Sequence, residues 1–236
     1  MVDIHCHLLY GVDDGAETME ESVAMLREAK AQGIDAMILT PHFRHGMFAY
    51  PKEKIEEHYR LLKPYAEETG VALALGTEYH VNSRMVEAFK TDRCRTLAGS
   101  HYVLTEYSHD SQFAYLEQMT EELVRNGYIP ILAHVERYAC MTQDLDSADR
   151  NRQLGGWNQL NADAVLGVDG MFTKRFCRKM LGEELVDVIA SVSHGIKRRA
   201  CHMSRCFEKL TKKYSRSYAE RLMTRNPAKI LEDAGI

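Results

Sequence analysis

The sequence predicts an α/β protein built as a seven-stranded, TIM-like (β/α) barrel. Three observations carry that prediction. Short apolar runs alternate with longer helix-period segments along the chain, which implies parallel strands joined by helical crossovers. Seven such strand segments are present, enough to close a ring. His or Glu side chains stand at the end of nearly every one, and in barrels chemistry collects at the C-terminal strand ends. An open doubly wound sheet is the alternative. The barrel is preferred because candidate ligands at so many strand ends need to converge from all around.

Val2–His5 is the first strand. Thr18 and Glu21 form a capping box, and Met19, Val23 and Leu26 lay an apolar stripe on the helix that follows. Gly33 ends that helix. Ile34–Leu39 is the second strand and runs into Thr40-Pro41-His42. Lys52–Thr69 is helical and stops at Gly70. Val71–Leu75 is the third strand, followed by Gly76-Thr77-Glu78. His101–Leu104 is the fourth, followed by Thr105-Glu106. Phe113–Asn126 is helical up to Gly127. Tyr128–Leu132 is the fifth strand and ends in Ala133-His134. Gly156–Leu160 is the sixth, Thr173–Gly182 a helix, and Leu185–Ala190 the seventh strand, ending in Ser191-Val192-Ser193-His194. Two helices lie near Cys206–Lys213 and Ser217–Met223, and Asn226–Ile230 begins a last one. No repeat, low-complexity stretch or Pro/Gly/Ser linker interrupts this pattern, so residues 1–236 read as one domain.

Composition narrows the function. Hydrophobic residues make up 45% of the 236 and charged residues 27%, as in an ordinary soluble protein. With Lys+Arg 30 against Asp+Glu 34 the net charge is −4. A mildly acidic chain without a basic block argues against nucleic acid as the partner. The apolar runs are too short to embed in a membrane, and the start lacks the basic flank and apolar core of a signal peptide. Six scattered cysteines without a C-x-x-C read as reduced thiols of a cytoplasmic protein. An oligomer is compatible with all of this.

The eleven histidines are the unusual feature. The first strand supplies His5 and His7, with Asp13 and Asp14 just beyond. The second supplies His42, the third Glu78, the fourth Glu106, the fifth His134 and the seventh His194. Residues two apart on a strand point the same way, so His5 and His7 share a face. Any one of these side chains alone is more often a structural hydrogen-bonding group. The whole set, ringing one barrel mouth, reads as a metal site. Imidazoles and carboxylates without thiolates suit Mn, Fe or Zn, and Mg less well alone. The set exceeds what one ion needs, and a carboxylate such as Glu78 can bridge two, so a cluster of two or three ions is expected. Such clusters activate water and clamp phosphoryl oxygens. His58, on a charged helix, is expected to face solvent. Cys6 alternates away from its two histidine neighbours into the core.

Arg137, three residues after His134, and Lys197, Arg198 and Arg199, just after His194, place cations on the loops above the mouth. Arginine binds phosphate bidentately. No Cys is followed six residues later by Arg, so the C-x5-R loop of thiol-based tyrosine phosphatases is absent. G-x-x-x-x-G-K-[ST], G-x-G-x-x-G and G-x-S-x-G are absent too.

Asp3-Ile-His-Cys-His7, Gly11-Val-Asp-Asp-Gly15, Thr40-Pro-His42, Gly76-Thr-Glu78, Thr105-Glu106 and Ala133-His-Val-Glu-Arg-Tyr138 together resemble the PHP (polymerase and histidinol phosphatase) family. Within it they are most similar to the bacterial metal-dependent tyrosine-protein phosphatases of capsule and exopolysaccharide systems, the CpsB/YwqE type. Gly46-Met-Phe48, Gln159-Leu-Asn161 and Asn226-Pro-Ala-Lys-Ile230 extend the resemblance nearly end to end. It implies the PHP fold, a distorted seven-stranded barrel with three metals, usually manganese. It implies ligands at His5, His7, Asp14, His42, Glu78, Glu106, His134 and His194, and phosphate-binding arginines at Arg137 and Arg199. The implied substrate is the phosphotyrosine cluster on the C-terminal tail of a bacterial tyrosine kinase that controls polysaccharide export.

One position departs from the family pattern. The family reads Ala-Ser-Asp-x-His at the end of the seventh strand, and that Asp is a ligand; here Val192 takes its place, and Gly195 replaces a common Asn. A carboxylate at 192, two residues before His194, is expected to share its strand and face the mouth. Valine cannot ligate, so one metal position is expected to be weak unless a group such as Asp13 takes over. Two other readings follow: a phosphatase for a small metabolite such as histidinol phosphate, and a weakened relative that binds the kinase tail without turning it over.

Overall fold

The computed structural model describes residues 1–236. The strands are β1 (Val2–Cys6), β2 (Ala36–Leu39), β3 (His42–Phe43), β4 (Ala72–Leu75), β5 (Glu78–His80), β6 (Tyr102–Glu106), β7 (Ile129–Leu132), β8 (Trp157–Asn161) and β9 (Val188–Ala190). The helices are α1 (Met19–Ala31), α2 (Lys52–Thr69), α3 (Met85–Lys90), α4 (Phe113–Arg125), α5 (Ala139–Gln143), α6 (Asp146–Gln153), α7 (Ala162–Leu166), α8 (Met171–Gly182), α9 (Met203–Lys213), α10 (Arg216–Glu220) and α11 (Asn226–Asp233).

All neighbouring strands run parallel, in the orders β1-β2-β4 and β3-β5-β6-β7-β8-β9. The nine segments occupy seven barrel positions, as the sequence predicts. Two strands are broken: β2 resumes as β3 after Thr40-Pro41, and β4 resumes as β5 after Gly76-Thr77. Proline has no N–H to give a ladder, which accounts for the first break. The resumed segments begin with His42 and Glu78, paired to each other in register.

The ring closes between β1 and the chain just past β9. Cys6 bridges Ser193. The Val192 N–H donates to the His5 carbonyl and the His7 N–H to the Ser193 carbonyl, both at 2.9 Å. Asp3 locks the seam: it accepts from the Ser191 N–H at 3.0 Å and the Ser191 hydroxyl at 2.5 Å.

Two apolar clusters flank the barrel wall. The smaller draws on β1, β2, β4, β6, β7 and β9 through Ile4, Ile38, Ala74, Leu104, Ile131 and Ala190, and fills the inside, with Ile230 of α11 as a plug. The larger packs the outer faces of the strands under the helices, with Cys6 among its members. Ile4 faces inward, so strict alternation would turn His5 and His7 out. The β1–β2 register shifts between Asp3 and Cys6; such a bulge re-aims the side chains beyond it, and His5 and His7 enter the mouth.

Helix ends follow the sequence signals. The Thr18 side chain accepts from the Glu21 N–H, but Glu21 bonds the Glu17 N–H instead of returning to Thr18, so only half of the capping box forms. Gly70 caps α2 in the left-handed conformation. The helix expected over Ser217–Met223 is α10 followed by a π-turn at Arg221–Arg225. His58 is not solvent-facing: it stacks on Tyr10 at 3.9 Å and its Nδ1 meets the Tyr10 carbonyl at 2.8 Å. The helix face that looked evenly charged covers the loop after β1. No helix is long and apolar enough to cross a membrane.

Candidate metal centre

The predicted strand-end residues meet at one mouth. Glu78 is the hub. Its Oε2 lies 3.1 Å from His5 Nε2, 3.1 Å from His7 Nε2 and 3.1 Å from His42 Nδ1. Its Oε1 lies 2.9 Å from His134 Nε2, which is 3.9 Å from Glu106. On the other flank, Asp14 Oδ1 is 3.4 Å from both His42 Nε2 and His194 Nε2. Three groups of closely spaced donor atoms result: His7, Asp14, His42 and His194; His5, His7 and Glu78; His42, Glu78 and Glu106.

Several imidazoles have their outer nitrogen occupied. His5 Nδ1 meets Gln159 Oε1 at 2.9 Å, His7 Nδ1 meets Asp13 Oδ2 at 2.8 Å, and His194 Nδ1 meets the Val192 carbonyl at 3.0 Å. His134 Nδ1 is 3.2 Å from the Tyr138 hydroxyl. A neutral imidazole whose Nδ1 donates outward presents its Nε2 lone pair to the same space. His5 and His7 bring those nitrogens within 3.3 Å of each other. Buried atoms without a hydrogen-bond partner include His42 Nδ1, Glu78 Oε2, Glu106 Oε2 and His194 Nε2. Converging lone pairs and orphaned carboxylate oxygens are what a divalent cation satisfies.

Electrostatics agree. Burial disfavours a charged His7, but Asp13 and Glu78 outweigh it and push its pKa up to about 10. Burial raises Glu78, yet His5 and His42 hold it well below the usual carboxylate range. Burial and the neighbouring Glu78 charge lift Glu106 to about 7. The carboxylates around His7 thus favour its charged form. Burial pulls His134 down to about 3 and His194 to about 4, so both are neutral, the form that ligates.

Local structure places the acidic loop. A Cβ at Gly15 would lie 2.0 Å from the His7 carbonyl oxygen, so only glycine lets Gly11–Gly15 fold onto β1. Asp13 is buried there and also accepts from the His42 N–H at 3.0 Å. Its oxygens are engaged by His7 Nδ1, the His42 N–H and the Gly15 N–H.

Position 192 differs from expectation. β9 ends at Ala190, and Val192 is left-handed, with φ 53°; it does not share an extended strand with His194. A β-branched residue is a true outlier in that region. Val192 is buried yet belongs to neither apolar cluster. His134 (φ 37°) and Arg199 (φ 51°) are left-handed too, so backbone strain gathers at the mouth.

Arg199 approaches Asp14 at 3.9 Å. Burial and the charge of Arg137 pull its pKa below the ordinary arginine value. A groove of about 570 Å³ beside Asp14 and His194 is lined by Lys197, Arg198 and Arg199 and by Glu17 and Glu20. Five of the six thiols are buried and burial raises the pKa of all six, so none is a ready nucleophile.

Sequence reasoning missed Asp3, Gln159 and Tyr138 as supports. Their partners lie elsewhere in the chain or above a turn, and no local spacing marks them.

A family model described as "Capsular polysaccharide synthesis, CpsB/CapC" matches residues 1–232. The chain is 31% identical over 240 residues to the tyrosine-protein phosphatase CpsB of Streptococcus pneumoniae, covering 99% of each. It superposes with a TM-score of 0.83 and 27% identity on a crystal structure from a study of YwqE from Bacillus subtilis and CpsB from S. pneumoniae, described as unique metal-dependent tyrosine phosphatases; the match covers 100% of this chain and 93% of that one. An organophosphorus hydrolase from Deinococcus radiodurans shares the fold, with a TM-score of 0.66 at 13% identity over 97% of this chain and 91% of that one.

Proposed function

Because the chain belongs to the CpsB/CapC family of capsular polysaccharide synthesis, we propose that it is a metal-dependent protein-tyrosine phosphatase. Its proposed substrate is the phosphotyrosine tail of a bacterial tyrosine kinase that regulates capsular or exopolysaccharide synthesis, in the cytoplasm. Residues 1–236 act as one catalytic domain. The observation that carries this reading is the convergence of His5, His7, His42 and His134 on the two oxygens of Glu78, with Arg199 standing 3.9 Å from the neighbouring Asp14.

Two or three manganese ions are proposed for the mouth, with Fe, Zn or Mg as substitutes, held by His5, His7, Asp14, His42, Glu78, Glu106, His134 and His194. Bound there, they would supply Lewis-acid stabilisation and an activated water for in-line displacement at phosphorus. Arg137 and Arg199 bind the phosphoryl oxygens by charge-assisted hydrogen bonds and hold the ester in line. Asp13, Gln159 and Tyr138 keep the imidazoles turned to the centre. The leaving group is a phenolate with a pKa of about 10, so departure needs little proton donation, which favours tyrosine over serine or threonine esters. The groove past His194 takes the chain that flanks the phosphotyrosine, between Lys197 and Glu20.

A groove of about 570 Å³ lined by charges of both signs offers room for the chain flanking a phosphotyrosine as well as for a small metabolite such as histidinol phosphate. The left-handed, buried Val192 favours a second reading, a weakened enzyme that still binds the tail. Hydrolysis of a tyrosine-phosphorylated peptide, histidinol phosphate and p-nitrophenyl phosphate, with manganese and with EDTA, tests these readings. Peptide turnover abolished by EDTA supports the proposal. Faster turnover of histidinol phosphate replaces it with the metabolite reading, and peptide binding without turnover supports the second.

A further inference from the structure

The outer face of α8 and α9 gathers seven cations: Lys174, Arg175 and Arg178 from α8, and Arg205, Lys209, Lys212 and Lys213 from α9. They line three adjoining hollows, with Glu208 the one carboxylate among them. The sequence shows no basic block because these residues are spread at helical spacing over two separate segments; packing brings them together. Several surface arginines on other faces are paired, as Arg125 is with Glu121, Arg150 with Glu117, Arg216 with Glu220 and Arg221 with Glu184. None of the seven forms such a pair. Beside them, at the start of α8, Met171 and Phe172 are 75% and 77% exposed, and Val168 is 59% exposed.

We propose that this face docks the protein on an anionic lipid bilayer, with Met171 and Phe172 entering the headgroup region and the α8–α9 cations meeting the lipid phosphates. Charge complementarity to a polyanion follows from seven unpaired cations on a chain of net charge −4. The exposed apolar tip selects a bilayer among polyanions, because it gains nothing from nucleic acid or polysaccharide and is buried at a membrane interface. The crowding is intrinsic to the fold: Lys209 is fixed by donating to the Val165 carbonyl. Burial and the charges of Lys174 and Arg178 lower the pKa of Lys213, and burial and Lys174 lower that of Lys209. Nearby lipid phosphates relieve that repulsion. α8 starts at the barrel end where the strands finish and packs against the Val135–Arg137 turn. The apolar tip therefore stands at the same end as the metal centre, and docking brings the mouth close to the bilayer surface. The surface is separate from the phosphatase chemistry.

Cosedimentation of the full chain with vesicles tests this, using phosphatidylcholine alone and phosphatidylcholine mixed with phosphatidylglycerol. The mixed vesicles should bind the protein, and added salt should release it. R175E combined with K212E should weaken that binding by on the order of tenfold or more. F172S should weaken vesicle binding while leaving retention on heparin unchanged. Hydrolysis of p-nitrophenyl phosphate should be the same in all three proteins. Equal binding to both vesicle types, or full binding by the charge-reversed protein, overturns the proposal. Vesicle binding untouched by F172S, together with tight heparin binding, assigns the face to a soluble polyanion and overturns it as well.

Discussion

The carbonyl of Val192 accepts from His194 Nδ1 at 3.0 Å while its N–H donates to the His5 carbonyl at 2.9 Å. The residue that breaks the family pattern thus joins two candidate ligands through its backbone, in a left-handed conformation that valine resists. Such strain costs about 1–3 kcal/mol. Aspartate tolerates that region better and adds a charge. V192D should therefore tighten the weakest manganese position and raise turnover, whereas V192N should raise the melting temperature without tightening metal binding. Calorimetric titration of manganese into the three proteins decides it. Equal stoichiometry and affinity in wild type and V192D would show that position 192 is not where the site is deficient.

Asp13 tests the support of His7. D13N keeps an acceptor for the Gly15 N–H, bonded at 3.0 Å, but removes the charge beside His7 Nδ1 and the oxygen that accepts from the His42 N–H. Loss of such outer support lowers metal affinity by roughly 10–100-fold. The expected result is weaker manganese binding with an unchanged circular dichroism spectrum. Wild-type affinity in D13N would make Asp13 a loop-folding residue only.

Glu136 is a buried carboxylate with no side-chain partner, and burial lifts its pKa to about 7 from an ordinary 4.5. Between those values the folded state keeps a proton that the unfolded chain releases, so its contribution makes stability fall as pH rises from 4.5 to about 7. E136Q removes the penalty. In metal-free protein it should match wild type near pH 4 and exceed it near pH 8 by roughly 2–3 kcal/mol. Urea denaturation at both pH values measures the difference, and a gain that does not change with pH would contradict it.

Arg199 lies over the mouth, 3.9 Å from Asp14. Removing one charge-assisted phosphate contact costs roughly 1.5–3 kcal/mol. R199A should raise KM for a phosphopeptide, and the affinity for inorganic phosphate should fall in parallel. Unchanged phosphate affinity with a lowered melting temperature would make Arg199 structural.

Much of the site is legible in the sequence because strand ends are marked by local signals. His42, Glu78, Glu106 and His134 each follow an apolar run, and parallel topology then forces them to one mouth. What sets their orientation is not local. Gln159 reaches His5 across 154 positions, and the bulge that turns His5 inward has no residue signature. The left-handed state of Val192 comes from closing the ring against His5 and overrides the alternation its neighbours suggest. α6 has no sequence signature because it buries Ser147, Ala148 and Asn151 and so carries no apolar stripe. His58 was misread for the opposite reason, since its partner is a backbone carbonyl on another loop.

The most direct test of the metal-centre account is hydrolysis of a tyrosine-phosphorylated peptide by one preparation, assayed as purified, after EDTA, after manganese is restored, and after thiol alkylation. The account predicts activity that is lost with EDTA, regained with manganese and indifferent to alkylation, as expected if the thiols are not the nucleophile and Glu78 anchors the centre. Activity that survives EDTA and disappears on alkylation would contradict it.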